Sequence, residues 1–501
     1  MDGEVGRSQG RREADRRWEG WEALAQRPVP DWYDDAKLGI MIHWGPYAVP
    51  AWAPPTGELP AVVAEKGWEY WFSHNSYAEW YANSMLIPGS PTHERHRTRW
   101  GRLTRYDAFA RTFRQGVREW DPGRWVDAAV ACGARYVVFT AKHHDGFLLW
   151  PSRRRNPRKR GWQLTRDVVG ELGDAVRAQG LRYGLYYSGG LDWTFGGPPI
   201  RSLADLHAAT PRSKGYAAYV DAHWRELIAR YAPSLLWNDI GSPSTEGVSG
   251  LFSDYYAAVP DGVVNDRFGP ADAGAPGGLR RRAAALLARV FAHRADRQAP
   301  LSLTAPTAGH ADFQTLEYER VPRDAGSKWE CVRGLGCSFG CVDPQEEEQM
   351  LSASALVQLL VDVVAGGGNL LLGVGPSADG SIPEAQLDRL NSLGQWLKLN
   401  GEAIFGSRPW GAEREDVTED EIPIRYTCRG MTTYAILTGT PAGKSIVLPS
   451  LRLLPYAGVR ILGSVVYVTW HQEGKDVHIR LTEPLRESPA HVISITPQPR
   501  A

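Results

Sequence analysis

The stretch that decides the fold is RYVVFTAKHHDG, residues 135–146. A short apolar run leads directly into polar residues and a glycine, which is typical of a buried parallel strand that ends at a functional surface. Four further segments share this pattern. They are KLGIMIHWG (37–45), LRYGLYYSGG (181–190), SLLWNDIG (234–241) and GNLLLGVGP (368–376).

Helix-like segments lie between these strands, for example RWVDAAVACGA (124–134) and TRDVVGELGDAVRAQG (165–180). Alternating strands and helices predict a parallel sheet. Because at least five strands carry polar residues at their C-terminal ends, we predict an α/β fold of the (β/α)8-like barrel type, with its active site at that end. An open doubly wound sheet is the alternative, but no G-x-G-x-x-G follows the first strand.

Changes in the pattern of apolar and polar residues along the chain predict three regions. Residues 1–30 form a polar N-terminal extension, and residues 31–405 form the barrel. Residues 406–501 contain short β-rich runs without helices between them, which predicts a small C-terminal β-sandwich domain. Within the barrel, residues 270–311 are interpreted as a surface insertion.

Composition excludes several classes of protein. The 501 residues are 43% hydrophobic and 23% charged, as in a globular protein with a large core. Lys+Arg and Asp+Glu both number 57, so the basic excess of a nucleic-acid binder is missing. No uninterrupted apolar run is long enough to span a membrane. The first thirty residues show no apolar signal region, and the five cysteines lack C-x2-C pairs, so we expect a reduced, cytoplasmic protein.

Polar residues at the predicted strand ends allow three interpretations. A metal-dependent hydrolase would use His43, His143 and His144, but adjacent histidines in a strand point to opposite sides. A sugar-binding module would suit the 20 tryptophans of the chain. A glycosidase needs a pair of carboxyl groups. Trp237 and Asp239 share one face of their strand, which places an aromatic ring beside a carboxylate at the barrel mouth.

Nine motifs, taken in order, resemble the α-L-fucosidases of glycoside hydrolase family 29. The resemblance runs from about residue 31 to 411, and the β-rich tail fits the C-terminal domain of that family. The motifs are KLGIMIHWGPYAVPAW, NSYAEWYANS, YVVFTAKHHDGFLLWPS, GLRYGLYYSGGLDW, LLWNDIG, VVNDRFG, DFQTLEYE, KWECVRGLGCSFG and LVDVVAGGGNLLLGVGPSADGSIPEAQLDRLNSLGQWLKLNGEAIFGSRPW.

This resemblance implies a retaining, exo-acting enzyme on a fucosylated oligosaccharide or glycoconjugate, with no cofactor, no metal, no nucleic acid and no membrane. It implies Asp239 as nucleophile and Glu317 as acid/base. A catalytically inactive, lectin-like relative is the alternative, and whether the chain forms a homo-oligomer stays open. The implied substrate-binding residues are His43, Glu79, Trp80, His143, His144, Tyr186, Trp237 and Arg267.

The sequence departs from the family pattern at a few positions. The 270–311 segment separates Arg267 from Glu317, so other acid/base candidates are kept. Cys341 stands where the family has a tyrosine, and Phe268 stands where a tryptophan is usual. The other acid/base candidates are Glu58, Glu79, Glu319 and Glu330.

Overall fold

Eight parallel strands form one sheet in the computed structural model of the chain, in the order β5-β4-β3-β2-β1-β8-β7-β6. The structure describes residues 18–197, 199–270, 308–318, 326–342, 349–411 and 414–499. The strands are β1 (Leu38–Ile42), β2 (Tyr136–Lys142), β3 (Arg182–Ser188), β4 (Leu235–Asp239), β5 (Val263–Val264), β6 (Gln314–Glu317), β7 (Trp329–Gly334) and β8 (Asn369–Val374).

The sheet curls so that its two edge strands, β5 and β6, meet. Asn265 pairs with Phe313 in a parallel bridge. Close by, the Asp312 amide donates to the Val264 carbonyl over 3.0 Å. The predicted (β/α)8-like barrel is therefore confirmed, although its closure depends on few backbone contacts and on a strand of only two residues.

Helices connect the strands around the outside of the barrel. Capping residues mark the starts of several helices: Asp121 accepts from the Gly123 amide ahead of the helix Pro122–Ala131, and Ser352 accepts from the Ala355 amide ahead of the helix Ala353–Ala365. The α-helices of the described residues are α1 (Gly20–Ala25), α2 (Asp31–Ala36), α3 (Leu59–Lys66), α4 (Trp68–Ser73), α5 (Tyr81–Ser84), α6 (Pro91–Arg99), α7 (Asp107–Gly116), α8 (Pro122–Ala131), α9 (Val168–Ala178), α10 (Leu203–Ala209), α11 (Lys214–Tyr231), α12 (Val248–Ala258), α13 (Ala353–Ala365) and α14 (Glu384–Asn400). None of these helices has both the length and the apolar character that a membrane crossing requires.

A buried polar cluster forms the floor beneath the C-terminal mouth of the barrel. The Glu330 carboxylate on β7 accepts from Tyr33 Oη at 2.9 Å, from Tyr136 Oη at 2.6 Å and from Trp237 Nε1 at 3.1 Å. Room for the Tyr136 ring exists because Gly39 lies against it, where a Cβ would meet the ring at 2.4 Å. Burial raises the pKa of Glu330 to about 7. This cluster fixes the position of Trp237.

The described part of the N-terminal segment packs on the opposite end of the barrel. Leu24 is fully buried, and Arg27 donates to Asp312 Oδ1 over 2.6 Å and to the Gly262 carbonyl just before β5. Residues 18–30 of the predicted extension therefore pack against the barrel. Most of the predicted insertion, residues 271–307, lies outside the described residues.

The C-terminal region is an antiparallel β-sandwich, as predicted. A five-stranded sheet has the order β13-β16-β11-β10-β9, and a three-stranded sheet has the order β12-β15-β14. Apolar side chains of both sheets, among them Ile424, Ile446 and Ile479, form a separate core. The strands are β9 (Arg408–Pro409), β10 (Ile424–Arg429), β11 (Thr432–Leu437), β12 (Ser445–Leu448), β13 (Gly458–Ile461), β14 (Val468–Glu473), β15 (Asp476–Leu481) and β16 (His491–Thr496).

Candidate active site

All ten site residues predicted from the sequence line a single cavity at the C-terminal ends of the barrel strands. With its open mouth the cavity encloses about 420 Å³ of empty space. The lining residues are Met41, His43, Tyr77, Glu79, Trp80, His143, His144, Tyr186, Trp237, Asp239, Ile240, Arg267, Glu317, Val332 and Phe339.

Asp239 ends β4 and presents both carboxylate oxygens to donors. Oδ1 accepts from Arg267 Nη1 at 2.9 Å, and Oδ2 accepts from Tyr186 Oη at 2.6 Å. Burial by itself raises the pKa of Asp239, but the Arg267 charge and the Tyr186 hydrogen bond outweigh it, so this pKa lies below its ordinary value. Asp239 is therefore held as a carboxylate.

Arg267 joins Asp239 to the second carboxylate of the site. Its Nη2 donates to Glu317 Oε2 at 3.0 Å while its Nη1 contacts Asp239. Its Nε donates to Thr315 Oγ1, which in turn donates to Asp266. The guanidinium is buried and held on three sides, so it sets the spacing of the carboxylate pair.

Glu317 ends β6 and faces Asp239 across the guanidinium. Besides Arg267, it accepts from Tyr77 Oη at 2.9 Å through Oε1. Tyr77 lies two residues before Glu79 in the motif NSYAEWYANS, but the sequence did not predict a role for it. An aromatic hydroxyl in that motif was the signal that could have identified it.

The three histidines of the cavity are buried and close together. His43 and His143 rings lie 5.6 Å apart, and His143 and His144 rings lie 4.0 Å apart. Adjacent His143 and His144 would point to opposite sides only within a strand, and β2 already ends at Lys142, so that alternation does not apply to them. Burial lowers the pKa of His43 to about 3 and that of His144 to about 4, so both rings are neutral at pH 7.

Two ring nitrogens of this cluster are buried without a hydrogen-bond partner among the described residues. They are His43 Nδ1 and His143 Nδ1. His144 instead uses Nδ1 on Ser188 Oγ, at 2.7 Å. The group of three His, Cys, Asp or Glu donors that lie close enough to share one ion within the described part of the chain does not include these imidazoles.

Aromatic rings supply flat walls. Tyr186 stacks on Trp237 with ring centroids 5.3 Å apart and an interplanar angle of 22°. Trp80 meets His144 edge to face at 5.2 Å. The Arg267 guanidinium lies over the Trp237 ring, 4.7 Å from its centroid. Such rings suit a ligand that has apolar faces and polar edges.

Glu79 is the third carboxyl group of the cavity. Its Oε2 accepts from the Gly340 amide at 2.9 Å and from Ser338 Oγ at 3.2 Å. Burial raises its pKa to about 7, and the Glu317 charge adds to this effect. Glu79 therefore exchanges a proton near neutral pH.

The other acid/base candidates lie elsewhere. Glu58 pairs with Arg333 at 2.8 Å, and Glu330 lies in the floor cluster below Trp237. Neither lines the cavity. Glu319 lies outside the described residues.

The two departures from the family pattern also lie outside the cavity lining. Phe268 packs against Phe252 and Trp224, at centroid distances of 5.0 and 5.6 Å. Cys341 is buried, with its sulfur 3.7 Å from Ser377 Oγ. Neither departure changes one of the paired carboxylates.

A second, larger cavity has Trp193 in its lining. The Trp193 ring also contacts Trp80 and His144, which line the first cavity. The larger cavity is lined by several basic side chains, including Arg102 and Lys159. It does not contain the paired carboxylates. The smaller cavity is therefore the candidate active site.

Removing the Tyr186 hydroxyl should raise the pKa of Asp239. In Tyr186→Phe we expect the acid limb of the pH profile of kcat/KM to move up by about one pH unit, because a hydrogen bond to the ionised form is lost. Because the pKa of Asp239 is lower in the folded protein than in the unfolded chain, its ionised form stabilises the fold at pH values above the unfolded pKa. This stabilisation is lost as the pH falls through the folded pKa. Tyr187→Phe is the matched control, since Tyr187 contacts His223 instead. An acid limb that stays in place in Tyr186→Phe would contradict this assignment.

The barrel and its paired carboxylates define a glycosidase, a carbohydrate-hydrolysing barrel enzyme. The sequence model of the family described as Alpha-L-fucosidase matches residues 7–402. The chain belongs to this α-L-fucosidase family.

Individual relatives agree with the family match. An α-L-fucosidase of Dictyostelium discoideum is 33% identical over 78% of this chain and 74% of its own length. Tissue α-L-fucosidase of Rattus norvegicus is 30% identical over 90% and 86%. The structure of an α-L-fucosynthase of Thermotoga maritima shares 39% identity and a TM-score of 0.81, over 96% of this chain and 100% of that one.

Proposed function

We propose that this α-L-fucosidase is a retaining, exo-acting enzyme that hydrolyses terminal α-L-fucosyl residues through a covalent fucosyl-enzyme. The observation that carries the proposal is the shared guanidinium: Arg267 binds Asp239 at 2.9 Å and Glu317 at 3.0 Å. Two carboxylates that share one guanidinium are held close together at the barrel mouth, as the carboxyl pair of a glycosidase must be.

Asp239 is the proposed nucleophile. Its oxygens are held by Arg267 and Tyr186 at the end of a rigid strand, which keeps the carboxylate ionised and oriented. Attack at the anomeric carbon passes through an oxocarbenium-like state, which the nearby negative charge stabilises. The bond between the anomeric carbon and the glycosidic oxygen breaks as the bond to an Asp239 oxygen forms.

Glu317 is the proposed acid/base. It donates a proton to the departing glycosidic oxygen and then accepts one from the water that hydrolyses the fucosyl-enzyme. In the sugar-free site both of its partners, Arg267 and Tyr77, donate to it. To act as an acid, Glu317 must therefore carry a proton. When substrate enters, the Glu317 carboxyl group must also exchange its contact with Arg267 for one with the glycosidic oxygen.

The remaining side chains match the shape of L-fucose. His43, His143 and Glu79 line the cavity and are the proposed hydrogen-bond partners of the sugar hydroxyl groups. The C5 methyl group needs an apolar wall, and the cavity provides Met41 and Phe339. One α-fucosidase structure of Thermotoga maritima is a complex with fucose.

A substrate screen tests this function. We expect an aryl α-L-fucoside to be hydrolysed with a kcat/KM roughly ten- to a hundredfold above that of the corresponding aryl α-L-galactoside, which differs from it only by a hydroxyl group at C6. The extra C6 hydroxyl would be buried without a partner, at a cost of about 1–3 kcal/mol.

Two outcomes would contradict the proposal. Equal rates on the two glycosides would reject the apolar wall. A fucose-induced rise in Tm without turnover of any fucoside would instead support the lectin-like alternative.

A further inference from the structure

A second group of chemically reactive side chains lies in the C-terminal β-sandwich. The strands β14 and β15 form a hairpin in which His471 pairs directly with His478. Glu473 is two residues beyond His471, so it lies on the same face of the sheet. All three side chains therefore meet on one face beside the hairpin turn.

The donor atoms are already close to metal-binding geometry. His471 Nε2 and His478 Nε2 lie 3.7 and 3.5 Å from the same oxygen of Glu473, and all three donor atoms are within 4.8 Å of one another. A zinc ion with ligands at about 2.0–2.2 Å in a tetrahedron holds them roughly 3.4 Å apart. Binding thus needs only small side-chain movements.

We propose that His471, Glu473 and His478 form a Zn²⁺ site. Two imidazoles and one carboxylate are ligands that Zn²⁺ prefers, whereas Mg²⁺ and Ca²⁺ need oxygen ligands. Glu473 is 72% and His471 is 55% exposed, so an ion reaches them from solvent, while His478 at 26% is held more firmly. Three protein ligands leave the fourth position to water.

The site would link the edge strand β14 to its neighbour β15. The sheet order β12-β15-β14 leaves β14 paired on one side only. An ion bridging the two strands closes the hairpin in the folded state, and binding to the folded state alone raises Tm. None of the three ligands lines the catalytic cavity, so fucosidase turnover should not depend on the ion.

Zinc titration of the full chain tests the proposal. After treatment with a chelator, the protein should take up one equivalent of Zn²⁺ in competition with a chromophoric chelator. It should gain roughly 2–5 °C in Tm, reversed by the chelator. Co²⁺ should give the visible absorption of a tetrahedral site.

Variants locate the ion. His471→Gln, at an exposed position, and His478→Gln should each weaken binding by at least about tenfold, and the double variant should abolish it. His93→Gln, outside the sandwich, is the matched control and should bind like the unaltered protein. Turnover of an aryl fucoside reports folding of every variant. Unchanged binding in the double variant, or no saturable binding to the unaltered chain, would overturn the proposal.

Discussion

Replacing Asp239 with glycine should lower kcat on aryl fucosides by roughly four to six orders of magnitude. The carboxylate is the group that would form the covalent intermediate, and it is also the anionic partner of Arg267 and Tyr186. Its loss removes the covalent route and the charge that stabilises the transition state.

Azide provides the decisive readout for Asp239→Gly. The glycine leaves space at the nucleophile position, so external azide can attack the anomeric carbon there. It should restore part of the activity and give the inverted glycosyl azide. Asp239→Asn is the matched control, because it keeps the side-chain volume and should be as inactive but without rescue. Turnover in Asp239→Gly close to that of the unaltered enzyme would refute the mechanism.

Much of the barrel could be predicted because its central strands leave a plain signal. Strands β1, β2 and β8 are buried along their whole length, so each is a nearly continuous apolar run. A polar residue such as His43 directly after such a run must lie at a strand end. The parallel arrangement then gathers these ends at one mouth, which is why the predicted site residues share one cavity.

The closing strands left a weaker signal. β5 has two residues, and β6 (Gln314–Glu317) contains Gln314, Thr315 and Glu317, so neither resembles an apolar run. Local hydrophobic patterning cannot identify strands this short or this polar. A register irregularity lies between Thr140 and Lys142, and β2 ends at Lys142. His143 and His144 therefore lie beyond the strand, and both line the cavity.

The sequence could not predict which side chains of the site contact one another. Tyr77 and Glu317 are 240 residues apart, and Arg267 and Glu317 are 50 apart. The family resemblance implied that Arg267 is a sugar-binding residue. Only the folded barrel shows that it also spaces the two carboxylates.

Glu317→Ala should separate substrates by their leaving groups. We expect kcat/KM to fall by about two to four orders of magnitude on fucosyl oligosaccharides, whose leaving groups need protonation. On activated aryl fucosides kcat/KM should change little, because it reports the first step and their leaving groups depart without a proton. Azide should speed the second step and give a glycosyl azide of retained configuration, since Asp239 still forms the intermediate.

Glu79 is the competitor that this prediction must exclude. A carboxyl whose pKa is raised to about 7 has the property that a general acid needs. However, Glu79 is bound through Oε2 by Gly340 and Ser338, whereas Glu317 shares the Arg267 guanidinium with Asp239. Glu79→Gln should therefore slow both kinds of substrate to a similar extent, as loss of a sugar contact does. If Glu79→Gln discriminates by leaving group and Glu317→Ala does not, the acid/base role passes to Glu79.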